Sequence, residues 1–136
     1  MGIGGTFSND GCNLIWRRLY GNSSSSAVSL FAVGTGTTTP AVTDTALETM
    51  VVGGFSGDAS YKAFVTDYPL YDTSTNKVTS RGYVTSTECN GNNLSEAGEF
   101  NSDGTKVMSS RDVFTAISKS STDELAIVWV HKLVNV

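Results

Sequence analysis

The chain has 136 residues, enough for one domain in which about two thirds of the unfolded surface can be buried around a real core. Only 16% of the residues are charged, against about 25% in an ordinary domain; Ser, Thr, Gly and Asn replace them, which reads as all-β with short strands and many turns. A net charge of −4 excludes the basic face that a nucleic-acid binder needs, and no apolar run approaches the roughly 20 residues of a membrane span.

Residues 1–9 (MGIGGTFSN) are Gly-rich and weakly apolar and read as an extended arm of the kind that becomes ordered on a neighbour. Met1 to Gly5 offers neither the charged nor the apolar region of a secretory signal, so a soluble protein made in a cytosol is expected. Residues 10–136 are expected to form a single β-sandwich domain that includes a helix over 10–20. In that helix Asp10 is the expected N-cap, Gly21 lies just past the end, and Cys12, Ile15, Trp16 and Leu19 fall near one face. About three turns of helix cannot persist alone, so this one must dock on a sheet.

Residues 22–26 (NSSSS) are a link, and 27–33 (AVSLFAV) a strand that is apolar on both faces apart from Ser29. Residues 34–43 form a Gly- and Thr-rich loop; 44–50 fit either one helical turn or the start of a strand. The stretches 60–71 and 81–88 read as strands separated by the turn-rich 72–77. Asn90 to Asn93 is a turn and Asn101 to Gly104 a hairpin turn. The last strand, 124–134 (ELAIVWVHKLV), places Leu125, Ile127, Trp129, His131 and Leu133 on one face and Ala126, Val128, Val130, Lys132 and Val134 on the other. A lone sandwich keeps one face polar, so the outer face should be covered by the helix or by another subunit.

Nothing in the sequence assembles a reaction centre. Gly34-Thr35-Gly36-Thr37 lacks the Lys-Ser/Thr of a phosphate loop and runs into Pro40, so it reads as a β-loop. His131, the sole histidine, lies in a dense apolar strand and reads as a packed or interface residue, able to act as a titrating assembly switch. The acidic residues, among them Asp44, Glu48, Glu96 and Glu99, are scattered without glycosidase or EF-hand spacing. Cys12 and Cys89 read as free structural thiols, and no Cys or His pair has zinc spacing. Two Asn-x-Ser acceptor patterns, at Asn22 and Asn93, count for little without a secretion signal. No catalytic residue, cofactor or metal is expected. Phe7 in the arm, with Trp16, Arg17, Arg18 and Tyr20 near the helix, are of the types that anchor interfaces; Trp129 and His131 on the last strand complete the candidate interface set. The plainer alternative is that Trp16 and Tyr20 close the domain's own core.

Several segments, in order, carry a further signal: the helix Asn13-Leu14-Ile15-Trp16-Arg17-Arg18-Leu19; Leu30-Phe31-Ala32-Val33-Gly34-Thr35-Gly36-Thr37-Thr38-Thr39-Pro40-Ala41, leading into Asp44-Thr45-Ala46-Leu47-Glu48; Leu94-Ser95-Glu96-Ala97-Gly98-Glu99-Phe100; and Ser110-Arg111 and Phe114 to Lys119, closing on Glu124-Leu125-Ala126-Ile127-Val128-Trp129. Together they resemble small bacteriophage virion structural proteins of the capsid cement (decoration) or fibre-module type. The resemblance departs over residues 51–93 and at Glu99, which stands where the pattern has an aliphatic residue. It implies an antiparallel β-sandwich of jelly-roll type without catalytic residues. The implied role is virion decoration between capsomers, with the major capsid protein or other virion proteins as partners and a homo-oligomer, a trimer favoured, as the assembly. The alternative role is a head-fibre, neck or tail-fibre module that binds host-surface glycans, for which exposed Tyr68, Tyr71 and Tyr83 would be expected.

Overall fold

The structure, a computed structural model, describes residues 2–3, 6–21 and 25–134. In chain order the elements are β1 (Gly2–Ile3), β2 (Thr6–Phe7), α1 (Asn9–Leu19), β3 (Val28–Gly34), β4 (Lys62–Ala63), β5 (Leu70–Asp72), β6 (Lys77–Val84), β7 (Asn93–Asn101), β8 (Met108–Ser118) and β9 (Leu125–Lys132). They form an all-β sandwich with one short helix. One sheet has the order β1-β9-β6-β5 and the other β2-β8-β7-β3-β4. Every pairing is antiparallel except β1 on β9. The β7–β8 hairpin of one sheet is nested in sequence between β6 and β9, which pair in the other, the folded-over connection of a jelly-roll-like sandwich.

The core between the sheets is built where alternation turns the large residues inward. Phe31 and Val33 of β3, Val84 of β6, Ala97 of β7, and Ile127 and Trp129 of β9 are all buried. Trp129 lies between Phe31 and Phe64, ring centroids 6.2 and 6.3 Å away. Gly82 permits this approach of the sheets, because a Cβ there would stand 2.9 Å from the Phe31 ring. A second cluster, Ala32, Leu47, Phe100 and Met108, sits on the opposite face of the five-stranded sheet beneath the loop that carries Leu47 and Met50. With both faces covered, β7 is buried from Leu94 to Asn101 although its sequence, LSEAGEFN, is half polar.

Several expectations are corrected. The helix starts one residue early, at Asn9, and its N-cap is Ser8, whose Oγ accepts from the Gly11 amide at 2.9 Å; Asp10 is in the first turn. Gly21 follows the end with φ of 79°, as a residue past a helix C-terminus should. The buried side of α1 is Gly11 and Leu14, not the face of Cys12, Ile15, Trp16 and Leu19. The cause is steric: a Cβ on Gly11 would lie 2.1 Å from the Ser109 carbonyl oxygen, so only this glycine lets the helix sit on β8. The helix therefore does not cover the outer face of β9, where Val130 stays exposed.

The arm lies along its own domain. Gly2–Ile3 pair with Val128 and Trp129, and Thr6–Phe7 with Arg111 and Ser110, so the described arm residues form an edge strand of each sheet. Met1, Gly4 and Gly5, and most of the 22–26 link, lie outside the described residues. The 44–50 segment is neither helix nor strand; it meets β3 through the bridge of Met50 to Gly34 and the packing of Leu47 in the cluster of Ala32. The 60–71 stretch contributes only β4 and the start of β5, with a cis Tyr68–Pro69 bond between them. The strand placed at 81–88 is β6, which begins at Lys77 and ends at Val84. Among the described residues no helix is long and apolar enough to cross a membrane.

Candidate functional site

The central strand β7 carries two buried carboxylates three residues apart, Glu96 and Glu99, which point to opposite faces of the five-stranded sheet. A buried charge has to be paired, and each face provides a partner. On the outer face Glu96 meets Arg111 of β8: Arg111 Nε donates to Glu96 Oε2 at 2.8 Å. The same guanidinium reaches Asp44 at 2.9 Å, Glu48 at 3.3 Å and the Thr38 carbonyl at 3.1 Å. Burial opposes the charge on Arg111, but bonds to Glu96 and Asp44 raise its pKa regardless.

The carboxylates of this cluster also close the Gly-Thr loop. Glu96 accepts from the amides of Gly36, Glu48 and Thr49 at 3.1, 3.0 and 2.7 Å. Glu48 accepts from the amides of Thr37 and Thr38, both at 2.8 Å, and bonds from Thr38 lower its pKa. The loop amides that would cradle a phosphate elsewhere are here saturated by the protein's own carboxylates. A hollow of about 220 Å³ lies beside them, lined by Thr38, Asp44, Ala46, Glu48 and Arg111.

On the inner face Glu99 meets His131 of β9, Nε2 to Oε2 2.5 Å, with side-chain exposures of 4% and 14%. Ser80 and Ser110 donate to the same carboxylate, and the Phe7 ring lies edge-on to the imidazole, 4.5 Å between centroids. The order is wrong for nucleophilic catalysis: the carboxylate stands between the hydroxyls and the imidazole, so His131 has no serine to deprotonate. An ion pair of Lys62 with Glu88 at 2.6 Å ties β4 to the turn after β6. Burial works against the Glu88 carboxylate, yet bonds from Lys62 and from the Thr85 and Ser56 amides hold its pKa at about 2.

The exposed surface is the reverse of this interior. Along α1, Ile15, Trp16, Leu19 and Tyr20 are 43, 57, 68 and 78% exposed, with Trp16 and Tyr20 stacked at 5.6 Å and 29°. Arg17 and Arg18 stand among them, Arg18 donating to the Ser25 carbonyl at 3.1 Å. Trp16, Arg17, Arg18 and Tyr20 are thus brought together on one exposed element, and neither aromatic closes the core. Phe7 and His131 meet each other inside the arm-edge of the sandwich. Trp129, fully buried among Phe31 and Phe64, is a core residue and is withdrawn from the interface set, as is His131, whose partner is internal.

Sequence reasoning did not find the Arg111 cluster. Asp44, Glu48, Glu96 and Arg111 are scattered over 68 positions, two of them in a loop and two on neighbouring strands, and they share no local pattern that sets them apart from charged residues in water. The two cysteines are free, Cys12 exposed and Cys89 buried; burial pushes the Cys89 thiol up to about 11. No family model, curated protein or solved structure matches the chain.

Proposed function

We propose that the chain is a non-enzymatic structural protein of a phage virion, a capsid cement protein that binds the major capsid protein between capsomers. One observation carries the binding role: the outward face of α1, with two aromatic and two aliphatic side chains in water on a helix that is wedged against β8. Large apolar side chains grouped on a monomer surface mark interaction sites. The assignment to a virion shell rests on the resemblance of the helix, the Gly-Thr-Gly-Thr loop and the Trp-bearing last strand to cement and decoration proteins. A cement protein acts by mass action, each bound copy adding stability to the shell. The internal pairing of Arg111, Glu99 and Glu88 supports the same reading, because it commits the buried charge to holding the subunit together. Val130, Leu133 and Leu70, exposed on and beside the four-stranded sheet, offer area for a homo-oligomer, for which the resemblance to cement proteins favours a trimer.

The fibre-module alternative is weaker. Of the three tyrosines it would use to stack on sugars, Tyr71 is exposed, but Tyr68 packs against the core and Tyr83 donates to Glu124 at 2.5 Å. The test is binding to isolated heads stripped of accessory proteins, with copies per particle counted on a quantitative gel and the shell melting temperature recorded. Hundreds of copies and a raised melting temperature are expected. A few copies or none, with the shell unaffected, would move the protein to the neck or tail and make host-surface sugars the next ligands.

A further inference from the structure

We propose that α1 docks on a protein surface where an apolar hollow is bordered by carboxylates, the hollow taking Trp16 and Tyr20 and the carboxylates taking Arg17 and Arg18. The inference rests on the cement reading and adds the chemistry of the partner.

The shape of the face is fixed before binding. Ser8 Oγ donates to the Met108 carbonyl at 2.7 Å, the Asn9 amide to the Val42 carbonyl at 2.8 Å, and Gly11 is pressed against Ser109. The helix cannot roll to hide Trp16 and Leu19 without driving a side chain into β8. The Trp16–Tyr20 stack presents two rings as one block with little rotamer freedom to lose on binding.

The charge around the face points to the partner's sign. Four other cations are committed: Lys62 to Glu88, Arg111 to three carboxylates, Lys119 to Asn90 Oδ1 and the Ser120 carbonyl, both at 2.8 Å, and Lys106 to the Asp103 carbonyl at 2.7 Å; Arg81 Nε, without a hydrogen-bond partner, is buried and out of reach of another molecule. Arg17 has no partner among the described residues and Arg18 has only the Ser25 carbonyl. In a chain of net charge −4, two adjacent guanidinium groups without a carboxylate are donors left for another molecule, and their fork geometry suits carboxylates. A basic residue in the last turn also offsets the helix dipole, but that role asks for no ring of bulky apolar neighbours. An anionic membrane would also attract arginines beside tryptophan. Four apolar side chains on a helix of three turns make a small insertion area, so a protein partner is favoured.

The test compares the full-length chain with three double variants for binding to stripped heads at low and raised salt: Trp16→Ala/Tyr20→Ala, Arg17→Glu/Arg18→Glu, and, as a control on the other sheet, Lys77→Glu/Lys132→Glu. Each helix variant alters exposed side chains only, and matched thermal melts verify that it folds. Both helix variants are expected to weaken binding by at least about tenfold, the order expected for lost anchors and for like charges brought together. The control is expected to bind as the parent does, and parent binding is expected to fall as salt rises. Parent binding with no loss in Arg17→Glu/Arg18→Glu, or with no salt dependence, overturns the inference and leaves the cement reading standing. Transfer of the helix-dependent binding to vesicles of phosphatidylserine and phosphatidylcholine, or to a second copy of this chain, overturns it as well. If the parent does not bind heads at all, the cement reading itself fails and the inference with it.

Discussion

Glu99 and His131 come from different sheets and meet at 2.5 Å inside the sandwich, beneath the ring of Phe7. Glu99 is the residue that departs from the aliphatic pattern of its strand, and the structure gives the reason: it is the acceptor for His131, Ser80 and Ser110 at once. The pair therefore behaves as one unit whose halves cannot be removed separately.

Replacing His131 by Ala leaves the Glu99 carboxylate buried with hydroxyl donors only, and is expected to cost about 3–5 kcal/mol of folding stability. Glu99→Leu/His131→Leu removes both halves and is expected to cost much less than the sum of the single changes. Urea unfolding of the three variants measures this; additive losses would show that the two residues are not coupled.

Arg111 is the counterion for Glu96, which is fully buried. Arg111→Ala is expected to lose about 3–5 kcal/mol and to loosen the loop whose Thr37 and Thr38 amides are held by Glu48. Arg111→Lys should recover little, because a point charge cannot span Glu96, Asp44 and Glu48. Hydrogen exchange at the Gly36, Thr37 and Thr38 amides reports the loop directly, and unchanged protection in Arg111→Ala would refute the role assigned to the cluster.

The Glu88 carboxyl is held at about 2, below its ordinary 4.5. A carboxyl with a depressed folded-state pKa contributes stability that is present above the ordinary value and lost as pH falls toward the folded one. Stability is thus expected to decline from about pH 4.5 to about pH 2. In Glu88→Gln that part of the decline should be missing, as read from urea midpoints across the acid range. A parallel decline in both proteins would assign it to other carboxylates, such as Asp72, which bonds from the Ser74 and Thr75 hydroxyls hold at about 2.

The two thiols should differ sharply toward a disulfide reagent. Cys12 is exposed on α1, whereas Cys89 is buried with its thiol pushed up to about 11, and the thiolate is the reactive form. One thiol per chain is expected to react in the folded protein and two in urea. Rapid reaction of both without denaturant would contradict the packing around Gly54 and Val51, against which Cys89 lies.

The sequence by itself determined the class of fold, because a low charge content with Thr, Ser, Gly and β-branched residues leaves few long helices and many short strands. It also determined the last strand: the alternation of Leu125, Ile127, Trp129 and His131 is a period of two, and the structure turns that set inward. The existence of the helix was legible from its flanking glycine and its apolar spacing.

Only the tertiary structure decided which way the helix faces and where the charges go. Apolar spacing selects the bulkiest stripe of a helix, but a short helix on a sheet can dock through its smallest residue, and Gly11 against Ser109 reverses the inside and outside of α1. Likewise β7 reads as a half-polar strand, and no local pattern distinguishes a carboxylate in water from one that meets an arginine 15 positions away in sequence. Burial of a charge is set by its partner across the sheet. That pairing is non-local, so Glu96, Glu99, Arg111 and His131 acquire their meaning only when the strands come together.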